Sequence, residues 1–190
     1  MKHDNKIFRT LVQQHREVEE MLARLQSVDV DEREPSCAQM RTALLSHARA
    51  EETTLYAALE RAGEMREAKH VKREHREIED ALRELEALDY TDVRWSNALG
   101  KLTDAVEHHV EEEESVAFDS AAASMDESEL DALADRFLAQ QEQEKARLAD
   151  EDDYDDRSKD ELMELARAHA IAGRSTMTKQ QLIAALRTNG

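Results

Sequence analysis

Six side chains in this chain have the types and spacing to hold metal ions. His47 and Glu51 stand four residues apart, as do His109 and Glu113, while His15 and His75 each sit alone on an apolar stripe. On a helix, residues four apart lie one turn apart on one face. Each His-x-x-x-Glu pair therefore offers an imidazole and a carboxylate from the same side. The neighbourhoods also repeat. His15-Arg16-Glu17-Val18-Glu19-Glu20 matches His75-Arg76-Glu77-Ile78-Glu79-Asp80 at an offset of 60, and His47-x-x-x-Glu51-Glu52 matches His109-x-x-x-Glu113-Glu114 at an offset of 62. Two helical hairpins of one design, packed about an approximate twofold axis, would bring all six side chains together.

The elements that must position them follow from apolar periodicity. The first helix starts near Asp4 or Asn5, either of which can cap it, and its stripe runs Phe8, Leu11, His15, Val18, Leu22, Leu25. An acidic loop leads to Pro35, which suits the first turn of a second helix. That stripe reads Cys37, Met40, Leu44, His47, Glu51, Thr54, Ala58 and ends by Gly63. The third runs Ala68, Val71, His75, Ile78, Leu82, Leu85, to a break near Asp89-Tyr90-Thr91. The fourth, capped by Thr91 or Asp92, reads Trp95, Leu99, Leu102, Val106, His109, Glu113, Val116. A fifth, from near Asp126, carries Leu130, Leu133, Phe137 and Leu138 and no seam histidine. The expected fold class is all-α: an antiparallel four-helix bundle with an extra fifth helix and a small C-terminal module.

An inward seam covers only about two of seven helical positions, yet four helices each place a histidine there. His3, His70, His108 and His169 fall off every seam, and helical phase turns His108 about 100° away from the inward-facing His109. Core histidines hydrogen-bonded to Glu51 and Glu113 are the plain alternative. For the whole set it fails on energy, because burying two carboxylates is costly without compensation. A metal supplies it, since neutral imidazoles and ionised carboxylates are its ligands. Six ligands are too many for one tetrahedral zinc, and no thiolate joins them. Two imidazoles plus bridging carboxylates per ion suit non-haem iron, with manganese the weaker fit. The repeat assigns His15 and His47 to one ion and His75 and His109 to the other, bridged by Glu51 and Glu113.

Composition bounds the rest. One proline and four glycines among 190 residues agree with a helical chain. The single cysteine, Cys37, excludes an internal disulfide and fits a reducing compartment; its seam position makes it a buried structural thiol. No apolar run approaches the roughly 20 residues of a membrane span, and the N-terminal residues lack a signal peptide's apolar core. A soluble, cytoplasmic protein is expected. The net charge of −18 argues against nucleic-acid binding by the whole molecule. The charge is uneven, however: in residues 157–190 six basic against three acidic side chains give +3, leaving −21 for the rest.

The ligand order and spacing resemble the hemerythrin-like (HHE) family, over roughly residues 1–148. That family's pattern is a His, a His-x-x-x-Glu, a His and a second His-x-x-x-Glu, places taken here by His15, His47, Glu51, His75, His109 and Glu113. Tyr56 and Phe118 also match its downstream aromatics. The resemblance implies two iron ions, oxo- or hydroxo-bridged, binding O2, NO or H2O2 in oxidative or nitrosative stress handling. One departure stands out. Oxygen-carrying members add a second histidine four residues away on the third helix, and Val71 and Glu79 occupy those positions here. Two imidazoles per iron leave open positions, which favours redox turnover, with catalase-like or NO-reducing activity, over reversible O2 storage. A non-catalytic iron or oxygen sensor, signalling through the C-terminal module, is the alternative. Glu19, Glu79, Glu52 and Glu114 lie beside the seams and are secondary ligand candidates; Tyr56 reads as core packing.

Beyond the fifth helix, residues 149–156 are densely acidic and read as a solvated linker. Residues 157–190 then form a small basic module. Capping boxes at Ser158-x-x-Glu161 and Thr178-x-x-Gln181 start two helices, joined by an extended stretch from Ile171 to Met177. Ser158 to Leu165, Gly173-Arg174-Ser175, Thr178-Lys179 and Leu182 to Leu186 resemble the N-terminal module of the Rho termination factor and, more loosely, SAP-like motifs. By that resemblance Lys159, Arg167, Arg174, Lys179 and Arg187 would make weak, salt-sensitive contact with nucleic acid. A solubilising or protein-docking tail is the alternative.

Overall fold

A computed structural model of the chain describes residues 4–152, 154 and 157–189, without the side chains of 150–152, 180, 184 and 187–189. His3 and the side chain of Arg187 lie outside the described residues. Among the described residues the regular structure is entirely helical. The chain divides into two compact units, Met1–Glu144 and Lys145–Gly190.

The first unit holds α1 (Lys6–Leu25), α2 (Val30–Thr53), α3 (Leu55–Ala62), α4 (Met65–Glu86), α5 (Trp95–Glu112), a π-helical turn (Glu113–Ala117), α6 (Phe118–Ser124) and most of α7 (Glu127–Asp152). Packing of α1 on α2, α2 on α4, α4 on α5 and α5 on α1 closes a ring of four long helices. Their apolar stripes fill its interior in two blocks. One block joins Ile7, Phe8, Leu11, Leu55, Leu59, Val71 and Phe118 with Leu130, Leu133 and Phe137 of α7. Val18, Leu22, Met40, Leu44, Ile78, Leu82, Leu99, Leu102 and Val106 are buried on the other side of the seam histidines in sequence. The polar residues therefore lie between two dry layers.

Several sequence-based boundaries move. The second helix starts at Val30, not at Pro35, because Asp31 and Glu32 in its first turn complement the helix dipole. Pro35 then removes only the bond to the Asp31 carbonyl, close to the solvent-facing helix start. At Thr54 this helix breaks: the hydroxyl donates to the Ala50 carbonyl at 2.6 Å, and the chain restarts as α3. Gly63, at φ 99°, closes α3 in a left-handed cap. The fourth helix begins at Trp95, and Asp92 instead accepts from the Arg94 N–H at 2.8 Å in the preceding turn. Its far end holds the largest surprise. The π-turn inserts an extra residue per turn and shifts the phase, so Val116 is 43% exposed while Ala117 and Phe118 face the core. Leu138 is likewise exposed, and Ala134 joins Leu133 and Phe137 in the buried set.

Helix α7 starts where expected, with Asp126 and Glu129 exchanging backbone bonds at 2.9 Å, but it continues to Asp152. Residues 149–152 of the expected linker are thus helical, and 153, 155 and 156 lie outside the described residues. In the second unit Tyr154 packs with Leu162, Ala166, Ile171, Leu182, Ile183 and Leu186. Both capping boxes form, Ser158 with Glu161 and Thr178 with Gln181, and they start α8 (Lys159–Ala168) and α9 (Lys179–Asn189). The joining stretch is not extended. Gly173, at φ 73°, lets it fold into a turn followed by a 3-10 turn at Arg174–Thr176, which brings Ile171 into the small core.

Candidate metal centre

The ring of four helices brings His15, His47, Glu51, His75, His109 and Glu113 together, all buried. They form two overlapping groups in which every donor atom lies within 4.8 Å of the others. His15, His47, Glu51 and Glu113 make one; Glu51, His75 and His109 make the other. Glu51 belongs to both. Its Oε1 is 3.0 Å from His47 Nε2 and its Oε2 is 3.3 Å from His75 Nε2. Glu113 is not equivalent: Oε2 lies 3.0 Å from His15 Nε2, while Oε1 accepts a hydrogen bond from the Tyr56 hydroxyl. Of the two glutamates, Glu51 alone belongs to both donor groups.

The inward-facing atoms are close but not paired. The Nε2 atoms of all four histidines, both oxygens of Glu51 and Oε2 of Glu113 are buried without a hydrogen-bond partner. Buried polar atoms are nearly always satisfied, so seven converging orphans describe a cage around a common occupant. Neutral imidazole nitrogens and ionised carboxylate oxygens in this ratio fit a divalent or trivalent transition ion.

The outward nitrogens, by contrast, are all held. His15 Nδ1–H donates to Glu114 at 2.9 Å, His47 Nδ1–H to Gln14 Oε1 at 2.9 Å, His75 Nδ1–H to Glu52 at 3.1 Å, and His109 Nδ1–H to Glu74 at 3.3 Å. Each partner comes from the preceding helix around the ring. These bonds fix the tautomer that leaves Nε2 free for an ion. Gln14 is steadied in turn by Gln141 of α7, each amide donating to the other at 2.9 and 2.8 Å.

Glu52 and Glu114 thus anchor His75 and His15. Glu79 pairs with Arg83 at the surface and Glu19 is exposed, so neither reaches the centre. Val71 is buried in the apolar block. Tyr56 is more than packing, because its hydroxyl restrains one oxygen of Glu113. Gln14 and Glu74 were missed by sequence reasoning. Their signal was present: each immediately precedes a seam histidine, at matching points of the repeat.

The electrostatics follow from this packing. Without an ion, burial would lower the His15 imidazole, but the adjoining Glu113 and Glu114 carboxylates and the charge of Glu51 outweigh it, pushing it up to about 10. His75 rises to about 9 against the same burial effect, through Glu51 and Glu52. Burial would raise Glu51, yet His47 and His75 hold it well below the ordinary carboxylate range. Burial, with the charges of Glu113 and Glu51, keeps Tyr56 protonated well above its ordinary value. Cys37 is free and buried, and burial pushes it up to about 11, which leaves an inert thiol.

Residues 6–121 match the hemerythrin HHE cation-binding domain. The chain belongs to that family. It is a helical protein with a cation-binding domain, and its buried His and Glu clusters have the donors to hold a metal ion. The match does not extend to residues 157–190, and no curated protein or solved structure matches the chain. Among the described residues no helix is long and apolar enough to cross a membrane.

Two outcomes follow. In the metal-free protein the raised His15 contributes its full stabilisation below 6.5, and this is lost as pH climbs towards about 10. Thermal melts should therefore show the metal-free form weakening from pH 6.5 upward, and the gain on metal loading growing over the same range, because loading displaces those protons. A pH-independent gain would contradict this. Replacing Gln14→Leu removes the acceptor that orients His47 and should lower metal affinity by about 10–100-fold in chelator competition, with the helical circular dichroism unchanged.

Proposed function

We propose that this protein binds two iron ions in the bundle and uses them to bind and turn over a small oxidant or diatomic: O2, NO or hydrogen peroxide. The observation that carries the reading is the cage of seven unpartnered donor atoms beside an apolar cavity of about 20 Å3. That volume holds about one water-sized molecule. His15, His47, His75 and His109 line it together with Val18, Leu44, Ile78, Val106 and Val110. Its walls are histidine rings and aliphatic side chains.

When bound, iron would supply redox chemistry and Lewis acidity at this point. The protein's own residues set the conditions. Glu51 spans both donor groups and neutralises positive charge on each. The Tyr56 hydroxyl keeps its proton and donates to Glu113 Oε1, so that glutamate offers its other oxygen to the group of His15 and His47. The group of His75 and His109 has one carboxylate fewer, which favours it as the place where an external ligand arrives. The valine, leucine and isoleucine side chains keep bulk water away. Two imidazoles per group, with Val71 and Glu79 at the alternative positions, favour turnover over storage.

The second unit, with five basic residues named above, is proposed to make weak contact with nucleic-acid phosphates. Exposed Lys159, Arg167 and Lys179 support this; Tyr154 is buried, with Arg157 5.8 Å from its ring, and offers no face for base stacking.

Metal analysis of the air-exposed protein should give about two irons per chain, with ultraviolet–visible charge-transfer bands that azide perturbs. Stopped-flow mixing of the ferrous protein with O2 should then show net oxidation. Reversible O2 uptake without oxidation would overturn the turnover reading, and a chain purified from iron-rich medium without iron would overturn the whole proposal. For the second unit, retention on immobilised DNA at low salt should be lost as salt rises towards 200 mM, roughly as counterion release predicts; no retention at any salt would reject it.

A further inference from the structure

His70 and His108 lie off every apolar seam, yet the fold puts them beside the buried carboxylate that anchors the inner centre. Glu74, 3% exposed, points Oε2 at His109 Nδ1. Its other oxygen, Oε1, points away from the centre, 3.2 Å from His70 Nε2 and 3.6 Å from His108 Nε2. Glu112, one residue before Glu113, reaches the same His70 nitrogen at 2.9 Å. His70, Glu74 and Glu112 thus form a third group of donors within 4.8 Å of one another, sharing no residue with the two inner groups.

Hydrogen bonding alone leaves this group unfinished. Arg73 donates to His70 Nδ1 at 2.8 Å, so the ring proton sits on Nε2, where it is donated to Glu112. That proton goes to Glu112, and Glu74 Oε1 remains buried with no hydrogen-bond partner. A cation at this point would meet both carboxylates and the imidazole at once. The two distances from His70, 3.2 and 2.9 Å, suit it: donors about 2.1 Å from one ion stand about 3.0–3.4 Å apart at tetrahedral or octahedral angles. His70 is 29% exposed and Glu112 38% exposed, so the group opens to solvent, unlike the inner cage. Binding would move the ring proton to Nδ1 and release Arg73, whose Nε already lies 3.5 Å from Glu77.

We infer that His70, Glu74 and Glu112 form an accessory site for a divalent transition ion on the face where α4 meets α5, with His108 at its rim. Imidazole in the donor set selects zinc or ferrous iron over magnesium or calcium. The site goes beyond the two-ion reading and stands on different ligands. Glu74 joins the two sites physically, with one oxygen for the accessory ion and one for His109.

The test uses the full chain, iron-loaded, desalted and titrated with Zn2+ in equilibrium dialysis, with iron and zinc counted in the same sample. One zinc per chain should bind while the iron is retained. His70→Ala and Glu112→Gln, both at partly exposed positions, should each weaken zinc binding by about tenfold or more, and His169→Ala should not change it. Zinc binding that survives His15→Ala but not His70→Ala supports the accessory site even where the inner iron is lost. Zinc that only replaces iron, or binding indifferent to both His70→Ala and Glu112→Gln, overturns it.

Discussion

Two carboxylates, Glu51 and Glu113, sit at zero exposure in the middle of a helical bundle, and their charge governs what surrounds them. Burying an ionised carboxylate costs several kcal/mol unless opposite charge and hydrogen bonds offset it. Four imidazoles provide part of the offset by converging on the same point. The apolar blocks above and below strengthen every interaction between them by excluding water. Against the effect of burial, the carboxylates raise His15 and His75 and the imidazoles lower Glu51. Proton and metal compete for the same atoms.

The approximate twofold repeat distributes this burden evenly and then departs from symmetry where function would need it to. Glu52 and Glu114 follow the two inner glutamates and play one role, each anchoring a histidine on the neighbouring helix. Gln14 and Glu74 precede the two lone histidines and anchor the other pair, but one is neutral and the other charged. The neutral anchor is backed by Gln141 of α7. The charged one keeps a second oxygen, unpaired and turned towards His70. Helical continuity fails on both hairpins just past the inner glutamates, as a break at Thr54 in one and a π-turn from Glu113 in the other. π-turns are rare and concentrate at functional sites. Here the extra residue lets Glu113 face the centre while Phe118 packs against Phe8 at 4.6 Å.

Much of this was legible in the sequence, for a physical reason. Helical phase is a local property, so the 3.6-residue period alone separates His109 from His108 and assigns each seam histidine to an inward face. The duplication added a second, independent constraint and fixed which carboxylates accompany them. Capping chemistry is equally local, and Asp126, Ser158 and Thr178 start their helices as read. Boundaries inside an otherwise continuous helical pattern were not legible. Nothing local distinguishes Val116 on an α-turn from Val116 on a π-turn; the packing of Ala117 and Phe118 against other helices decides it.

By itself the sequence determined the helical class, the four inward histidines and the two His-x-x-x-Glu pairs, because spacing along one helix controls which side chains share a face. Only the tertiary structure decided what depends on distances between helices. It made Glu51 the residue common to both donor groups, gave Glu113 to one group by tying its second oxygen to Tyr56, and turned Glu52, Glu114, Gln14 and Glu74 into anchors of the inward histidines. It also gathered His70, Glu74 and Glu112 from two helices into one cluster that no periodicity within either helix could reveal. Contacts across helices depend on register and crossing geometry, which the pattern of a single strand of sequence does not carry.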